Sequence, residues 1–345
     1  DADRVVTFRL LAPEAKQVAA RVLIGSESTT LPMTKDEKGV WSVKTGPLEP
    51  CVTDYNFVLD GVPVIDPRNP LKKQGAQGAG SSQLIVPADP PAVWELRKVP
   101  HGTVHAHHYE SPAWDVTRRF HVYTPPGYET GRSRYPVLVL LHGSGDTDRE
   151  WTETGKANLI LDNLIAEGKA RPMVIVMPDG HGPRAGSGRI SELERQRQSV
   201  LFERDLTLGV IPEVEKLYRL EKLPDHRAII GLSMGGAQAL NIGLSRLDLF
   251  SYIGVFSMGL NGPRAERDFT DVHEKELASP EEVNRKLRLF WIGCGEKDFL
   301  WNSAQQLDQV LTKLQINHTF RKTGGGHVWM NWVNYLAEVA PLLFK

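Results

Sequence analysis

Along the first 85 residues the apolar positions come in short bursts with no helical period. Val5-Val6-Thr7-Phe8-Arg9-Leu10, Val18 to Leu23, Trp41-Ser42-Val43 and Tyr55-Asn56-Phe57-Val58-Leu59 read as strands. Lys38-Gly39, Leu48-Glu49-Pro50 and Asp60-Gly61 separate them, and Asp-Gly between apolar runs is a strong hairpin signal. The pattern predicts a small antiparallel sandwich. Gln74 to Ser82, rich in Gly and Ser, reads as a loop, and Pro87, Pro90 and Pro91 mark a linker. Beyond residue 96 the texture changes. Strand-like segments near Gly102 to Tyr109 and Arg118 to Tyr123 precede an alternation of apolar strands and amphipathic helices. The strands are Val137 to Leu141, Met173 to Met177, Ala228 to Ile230, Tyr252 to Phe256, Leu287 to Ile292 and His318 to Arg321. The helices cover Ala157 to Glu167, Phe202 to Leu217, Gly236 to Gly243, Ala304 to Leu314 and Trp332 to Phe344. Unbroken apolar runs such as Val137 to Leu141 suit strands buried on both faces, so a mostly parallel sheet flanked by helices is expected. Two domains follow, residues 1–90 all-β and residues 96–345 α/β.

Composition narrows the classes. The 345 residues carry 41 Lys+Arg against 42 Asp+Glu, a net charge of -1, which offers no field for nucleic acid or an anionic membrane. No stretch reaches the 18 or so apolar residues of a membrane-spanning helix. Cys51 and Cys294 are too few for a disulfide framework or a thiolate zinc site and are expected to be free, buried thiols. The chain begins at Asp1, so any leader would have been removed.

The chemistry concentrates at Gly231-Leu232-Ser233-Met234-Gly235-Gly236, a G-x-S-x-G sequence with an apolar strand before it and a helix after it. Glycines flank Ser233 because so tight a turn leaves no room for side chains, and the serine oxygen is then presented at the strand end. A serine needs a base, and the base needs a carboxylate to orient it. On such sheets the chain order is Ser, then acid, then His. Asp298 lies after the turn of Gly293-Cys294-Gly295-Glu296-Lys297-Asp298, at the carboxyl end of a strand, and is preferred to Glu296. His327, after Gly324-Gly325-Gly326 and before the last helix, is preferred to His318 inside a strand. The backbone N–H groups of Met234 and of Ser144, in Leu141-His142-Gly143-Ser144-Gly145, are the expected oxyanion donors. Trp151, Trp301, Trp329 and Trp332 follow these loops, where each either walls a pocket for a planar acyl group or a sugar or packs in the core.

Other groupings carry less. His101, His105, His107 and His108 lie close together but lack the carboxylates that would complete a zinc site. Asn317-His318-Thr319 is a weak glycosylation sequon on a strand-like segment. The mixed-sign run Arg189 to Arg204 reads as a solvated helix face or loop. No phosphate-binding glycine motif sits between a strand and a helix.

With these motifs in view, the chain resembles carbohydrate esterase family 1, the feruloyl and acetylxylan esterases of the esterase-D-like branch of the α/β-hydrolases. The carriers are Tyr123-Thr124-Pro125-Pro126-Gly127-Tyr128, Leu141 to Gly145, Trp151-Thr152-Glu153, Gly231 to Gly236, Gly293 to Asp298 and Gly325-Gly326-His327-Val328-Trp329. The family triad would fall on Ser233, Asp298 and His327. Residues 1 to about 90 resemble an early-set, immunoglobulin-like domain akin to carbohydrate-binding family 48, through Gly39-Val40-Trp41, Tyr55-Asn56-Phe57 and Asp60-Gly61 with Asp66-Pro67-Arg68-Asn69. Cys51 departs from this pattern, standing where relatives often have a turn glycine.

The resemblance implies a cofactor-free, metal-free serine esterase. It would release hydroxycinnamoyl groups from feruloylated xylan, binding neither nucleic acid nor membrane, and would be secreted or periplasmic. Acetylxylan esterase and siderophore trilactone hydrolase are the alternatives within the class. A non-catalytic carbohydrate-binding protein and an acyltransferase are the rivals outside it.

Overall fold

A computed structural model describes residues 3–75, 80–183 and 191–345. The amino-terminal strands are β1 (Val6–Leu11), β2 (Val18–Ile24), β3 (Glu27–Pro32), β4 (Thr34–Lys35), β5 (Val40–Thr45), β6 (Cys51–Leu59), β7 (Val62–Val64), β8 (Lys72–Gln74) and β9 (Gly80–Val86). They form two antiparallel sheets, β1-β5-β4 and β3-β2-β6-β9-β8, with β7 paired to β6. Period-2 alternation sends Val18, Ala20 and Val22 of β2 and Tyr55 and Phe57 of β6 inward, where they meet Phe8, Met33 and Trp41. The Asp60-Gly61 hairpin has positive φ at both residues, 47° and 88°, the backbone its sequence calls for. Asp66 accepts the Tyr55 hydroxyl at 2.7 Å, and Asn69 donates to the Gln83 carbonyl at 2.8 Å. Both side chains thus hold this sandwich together. The expected loop over Gln74 to Ser82 is corrected in part. Gly80, Ser81 and Ser82 begin β9, because Ser82 and Gln83 face buried surroundings and β9 pairs with both β6 and β8. Residues 76–79 lie outside the described residues.

The larger sheet has the order β10-β11-β13-β12-β14-β15-β16-β17. Its strands are β10 (Thr103–Ser111), β11 (Val116–Thr124), β12 (Val137–Leu141), β13 (Val174–Pro178), β14 (Arg227–Leu232), β15 (Tyr252–Phe256), β16 (Leu289–Gly295) and β17 (Thr319–Thr323). From β13 to β17 every pairing is parallel, while β10 and β11 add an antiparallel edge. The helices are α1 (Glu150–Glu153), α2 (Ala157–Ala166), α3 (Glu192–Asp205), α4 (Ile211–Leu217), α5 (Met234–Ser245), α6 (Ala265–Val272), α7 (Glu274–Leu277), α8 (Pro280–Lys286), α9 (Trp301–Lys313) and α10 (Trp329–Val339). β12 shows how the sheet is covered. Val137, Val139 and Leu141 pack toward α3, α5 and α9, whereas Leu138 and Leu140 pack toward α2 and α10. The helix expected over Phe202 to Leu217 begins earlier, at Glu192, and widens into a π-turn over Leu206–Val210. In its first turns Leu193, Gln196 and Arg197 are exposed, and Arg189 lies outside the described residues. Among the described residues no helix is long and apolar enough to cross a membrane.

Both thiols are free, Cys294 fully buried on β16 and Cys51 half-buried on β6. Burial together with the nearby Asp298 charge pushes the Cys294 thiol up to about 12, so it stays protonated.

Candidate active site

Parallel strands deliver their carboxyl ends, and the loops that follow, to one edge of the sheet. At the end of β14, Ser233 adopts φ 52° and ψ -118°, a conformation that costs a non-glycine residue about 1–3 kcal/mol. Packing makes that conformation the available one. A Cβ at Gly231 would lie 2.1 Å from the Gly235 carbonyl oxygen, and one at Gly235 would lie 2.5 Å from that of His142. Both flanking positions therefore require glycine. The Ser233 N–H donates to the Phe256 carbonyl at 2.8 Å, tying the elbow to the end of β15.

Asp298 follows β16 and is buried. Its Oδ1 accepts the Leu300 N–H at 2.9 Å, and His327 Nδ1 lies 3.0 Å from both carboxylate oxygens. Burial pushes the Asp298 pKa up, but the bonds from His327 and from the Leu300 N–H outweigh it and hold the group below the usual carboxylate range. Asp298 therefore remains a charged acceptor. The loops that carry the pair are laced together. Glu296 N–H donates to Thr323 O at 2.8 Å, Lys297 N–H to Gly325 O at 2.9 Å, and the Asn331 amide to Gly326 O at 2.9 Å.

The segment after β12 meets the elbow. A Cβ at Gly143 would lie 3.5 Å from Ser233 Cβ and 2.6 Å from Leu232 Cδ1. His142 is buried beneath it, with Nδ1 2.9 Å from Gly143 O, and Nε2 2.9 Å from the Gly180 nitrogen and 3.4 Å from Asp179 Oδ1. A carbonyl only accepts, so Nδ1 carries a proton and donates to Gly143 O. Asp146 N–H donates to the same carbonyl at 3.2 Å. In a trans peptide the N–H points opposite to the C=O, so fixing the Gly143 carbonyl also fixes the direction of the Ser144 N–H. Gly145, at φ +91°, supplies the positive φ of this turn.

The four tryptophans differ in how deeply they pack. Trp151 is 1% exposed and donates its indole N–H to Leu141 O at 3.0 Å. Trp329 and Trp332 are also buried, packed edge-on at 5.3 Å, and Trp151 meets Trp329 at 5.2 Å. Trp301 is partly buried and packs on Phe320 at 5.6 Å. Trp151, Trp329 and Trp332 pack together under the loops, and Trp329 also lines a cavity with Leu23, Val52 and Met330. Trp332 also supports the acid. Its indole N–H donates to Ser257 Oγ at 2.8 Å, and Ser257 in turn hydrogen-bonds the Asp298 carboxylate. Its ring meets that of His327 edge-on at 5.0 Å. Sequence reasoning also missed Phe299, which is 76% exposed with its ring 4.4 Å from the His327 ring. An exposed aromatic directly after the acid of the pair was the available signal. Three of the four clustered histidines are occupied locally, His101 with Asp162 at 2.8 Å, His105 with Thr124 at 3.1 Å and His107 with the Tyr218 hydroxyl at 2.5 Å.

Comparison with known proteins agrees with this architecture. The esterase family model matches residues 111–343. The endo-1,4-beta-xylanase/feruloyl esterase of Xylanibacter ruminicola is 30% identical over 98% of this chain, and the match spans 44% of that relative's own length. A solved ferulic acid esterase is 26% identical, with a TM-score of 0.60, over 71% of this chain and 99% of its own. The enterobactin esterase of Shigella flexneri shares the fold across both domains, with a TM-score of 0.67 at 20% identity over 98% of this chain and 92% of its own. The chain belongs to this esterase family, as the resemblance to carbohydrate esterase family 1 implied, with the α/β-hydrolase sheet preceded by an all-β domain.

Proposed function

We propose that the chain is a serine esterase that releases hydroxycinnamoyl groups, ferulate above all, from xylan through an acyl-enzyme. The observation that carries the proposal is the strained elbow at Ser233, set on the same sheet edge as the bifurcated His327 Nδ1–Asp298 contact. With Nδ1–H committed to Asp298, the His327 lone pair lies on Nε2, where it takes the Ser233 proton as Oγ attacks the ester carbonyl. The N–H groups of Met234 and Ser144 hold the oxyanion, and Met234 also opens α5, whose amino end favours negative charge. The tetrahedral adduct collapses, the C–O bond to the sugar breaks, and the alcohol leaves with the proton from His327. Water, deprotonated by His327, then adds to the acyl-enzyme and releases the acid. Asp298 keeps His327 oriented and stabilises its charged form throughout.

The relatives named for feruloyl esterase activity support the substrate class. Phe299, exposed beside His327, offers an aryl-stacking surface for a cinnamoyl ring. A neutral polysaccharide ester suits a chain with net charge -1, and such a substrate also fits a secreted enzyme. A second reading has its own support. The likeness to the enterobactin esterase extends over the all-β domain as well, so a trilactone siderophore belongs in the same test. Turnover of methyl ferulate, acetylated xylan and a trilactone siderophore is to be compared with the parent chain and with Ser233→Ala. We expect methyl ferulate to be preferred and Ser233→Ala to lose at least about a thousandfold in kcat. Undiminished turnover by Ser233→Ala removes the nucleophile assignment, and preference for another ester removes the substrate.

A further inference from the structure

The all-β domain touches both loops of the candidate site. Lys73, on β8, crosses the domain boundary to Asp146, with Nζ 2.8 Å from Oδ1 and side chains only 17% and 9% exposed. Asp54 of β6 lies 3.9 Å from the same ammonium, and the Trp329 ring centroid 5.6 Å from it. Burial opposes the Lys73 charge, but the carboxylates of Asp146 and Asp54 outweigh it and raise its pKa. On the neighbouring strand, Gln83 of β9 donates to Thr154 Oγ1 at 2.5 Å, and both residues are buried. The segment from Gly143 to Thr154, which holds the oxyanion turn and α1, is therefore gripped at both ends from the all-β domain. The His327 loop is approached from the same side. A Cβ at Gly326 would lie 2.9 Å from Ser26 Cβ, and the Val52 N–H points at Met330 Sδ at 3.2 Å.

Asp146 is where this grip bears on chemistry. Its N–H closes the Gly143–Asp146 turn on the Gly143 carbonyl, so its backbone belongs to the oxyanion loop. Its carboxylate is buried, and a buried carboxylate stripped of its cation moves to water or takes a proton. Either response loosens the turn at the end opposite His142.

We propose that Lys73 is a positioning residue of the esterase, holding the Gly143-Ser144-Gly145-Asp146 turn through its ion pair, and that the all-β domain is thereby an integral part of the active site. The proposal rests on the reading of Ser233 as nucleophile and Ser144 N–H as oxyanion donor. Lys73 touches no reacting atom. Its loss displaces a donor that acts on the transition state more than on the bound ester, and a misplacement of about 1 Å in such a group costs about 10²-fold.

The test uses the full chain and methyl ferulate. Lys73→Met should lower kcat about 10- to 100-fold with KM within about threefold of the parent, and phosphonylation of Ser233 by a fluorophosphonate should slow in parallel. Lys73→Arg, which keeps the charge, should stay within about threefold in kcat. Thermal unfolding checks that each variant is folded. If Lys73→Met does not fold, the double variant Lys73→Met/Asp146→Asn, which leaves no unpaired carboxylate on the turn, takes its place with the same drop expected. Parent-level kcat in whichever of these folds, a loss confined to KM, or Lys73→Arg no better than Lys73→Met overturns the proposal. Ser233→Ala is measured alongside: full activity there refutes the underlying site reading instead, so the two failures are distinguishable.

Discussion

Asp298→Asn isolates the orienting carboxylate with almost no change in shape. The structure dictates how an asparagine must sit. Oδ1 of Asp298 is pinned by the Leu300 N–H at 2.9 Å, so the amide oxygen has to occupy that position. The amide nitrogen then takes the place of Oδ2, 3.0 Å from His327 Nδ1. An NH2 group there cannot accept the Nδ1 proton, which only the amide oxygen, also 3.0 Å from Nδ1, still could; where the NH2 donates instead, the imidazole proton moves to Nε2, the atom proposed to serve Ser233. The base is blocked, and the charge that stabilised the imidazolium is gone. In serine hydrolases the combined loss is about 10⁴-fold in kcat, or about 5 kcal/mol. The fold should persist, because the Leu300 bond is retained. The assay is kcat and KM on methyl ferulate between pH 6 and 9, with thermal unfolding as the control. A folded Asp298→Asn enzyme within tenfold of the parent across that range would refute both the tautomer argument and the role of Asp298.

Packing and charge elsewhere in the sheet yield three more expectations. Gly231→Ala places a Cβ 2.1 Å from the Gly235 carbonyl, which belongs to helix backbone and cannot yield. It should cost at least about 3 kcal/mol in urea unfolding and abolish turnover. Asp205 is buried and accepts from Tyr109 at 2.6 Å, from Ser111 and from Arg118 at 2.7 Å. Asp205→Ala leaves the Arg118 guanidinium without its carboxylate and should destabilise by about 3–5 kcal/mol in the same measurement. Asp179 is held down to about 2, its burial outweighed by His142 and by the His181 N–H. A carboxylate whose folded pKa is depressed stabilises above its unfolded value, near 4, and that stability drains as pH falls toward 2. Unfolding free energy followed from pH 5 to pH 2 should decline less in Asp179→Asn than in the parent; identical slopes would refute this assignment.

Much of the fold was legible because the sheet imposes it. Apolar runs of five residues are what strands buried on both faces require, and an Asp-Gly pair between them closes a hairpin. Strand-end reasoning singled out Asp298 and His327, whose side chains lie 3.0 Å apart. The same reasoning did not show how deeply three of the tryptophans are buried, for a definite cause. Position relative to a strand end fixes how high on the sheet a residue lies, not which way it points. Trp329 and Trp332 are three apart on α10 and share one face, and that face turns to the sheet. Phe299 carries no periodic signal, since a loop residue obeys neither the helical nor the strand repeat. Lys73 was hidden for another reason. Its strand spans only Lys72–Gln74, and its meaning depends on a carboxylate far along the chain in a second domain.

The residues that support the candidate site are indexed by the sheet itself, and this decides how precise the site can be. The ladder of parallel hydrogen bonds continues past the strand ends, with Ser233 N–H on Phe256 O at 2.8 Å, Ser257 N–H on Gly293 O at 2.7 Å and Glu296 N–H on Thr323 O at 2.8 Å. Ser233 and Ser257 both have positive φ, 52° and 48°, at the ends of neighbouring strands. Strain of this kind persists only where the surroundings over-determine it, and here each strained residue hangs from the next strand by its own N–H. The first presents its hydroxyl at the edge; the second turns its hydroxyl inward to Asp298, where Trp332 holds it. Elbow and acid follow β14 and β16, so the strand between them sets their spacing in steps of about 4.8 Å. Loops alone could not keep so rigid an interval. The Gly143–Asp146 turn, proposed to hold the oxyanion, is different. It projects beyond β12 and depends on side-chain contacts from His142 below and Lys73 across the domain boundary. Sensitivity to distant mutation should therefore be greatest there and least at the elbow, because one part of the site is built by the backbone ladder and the other by a handful of side chains.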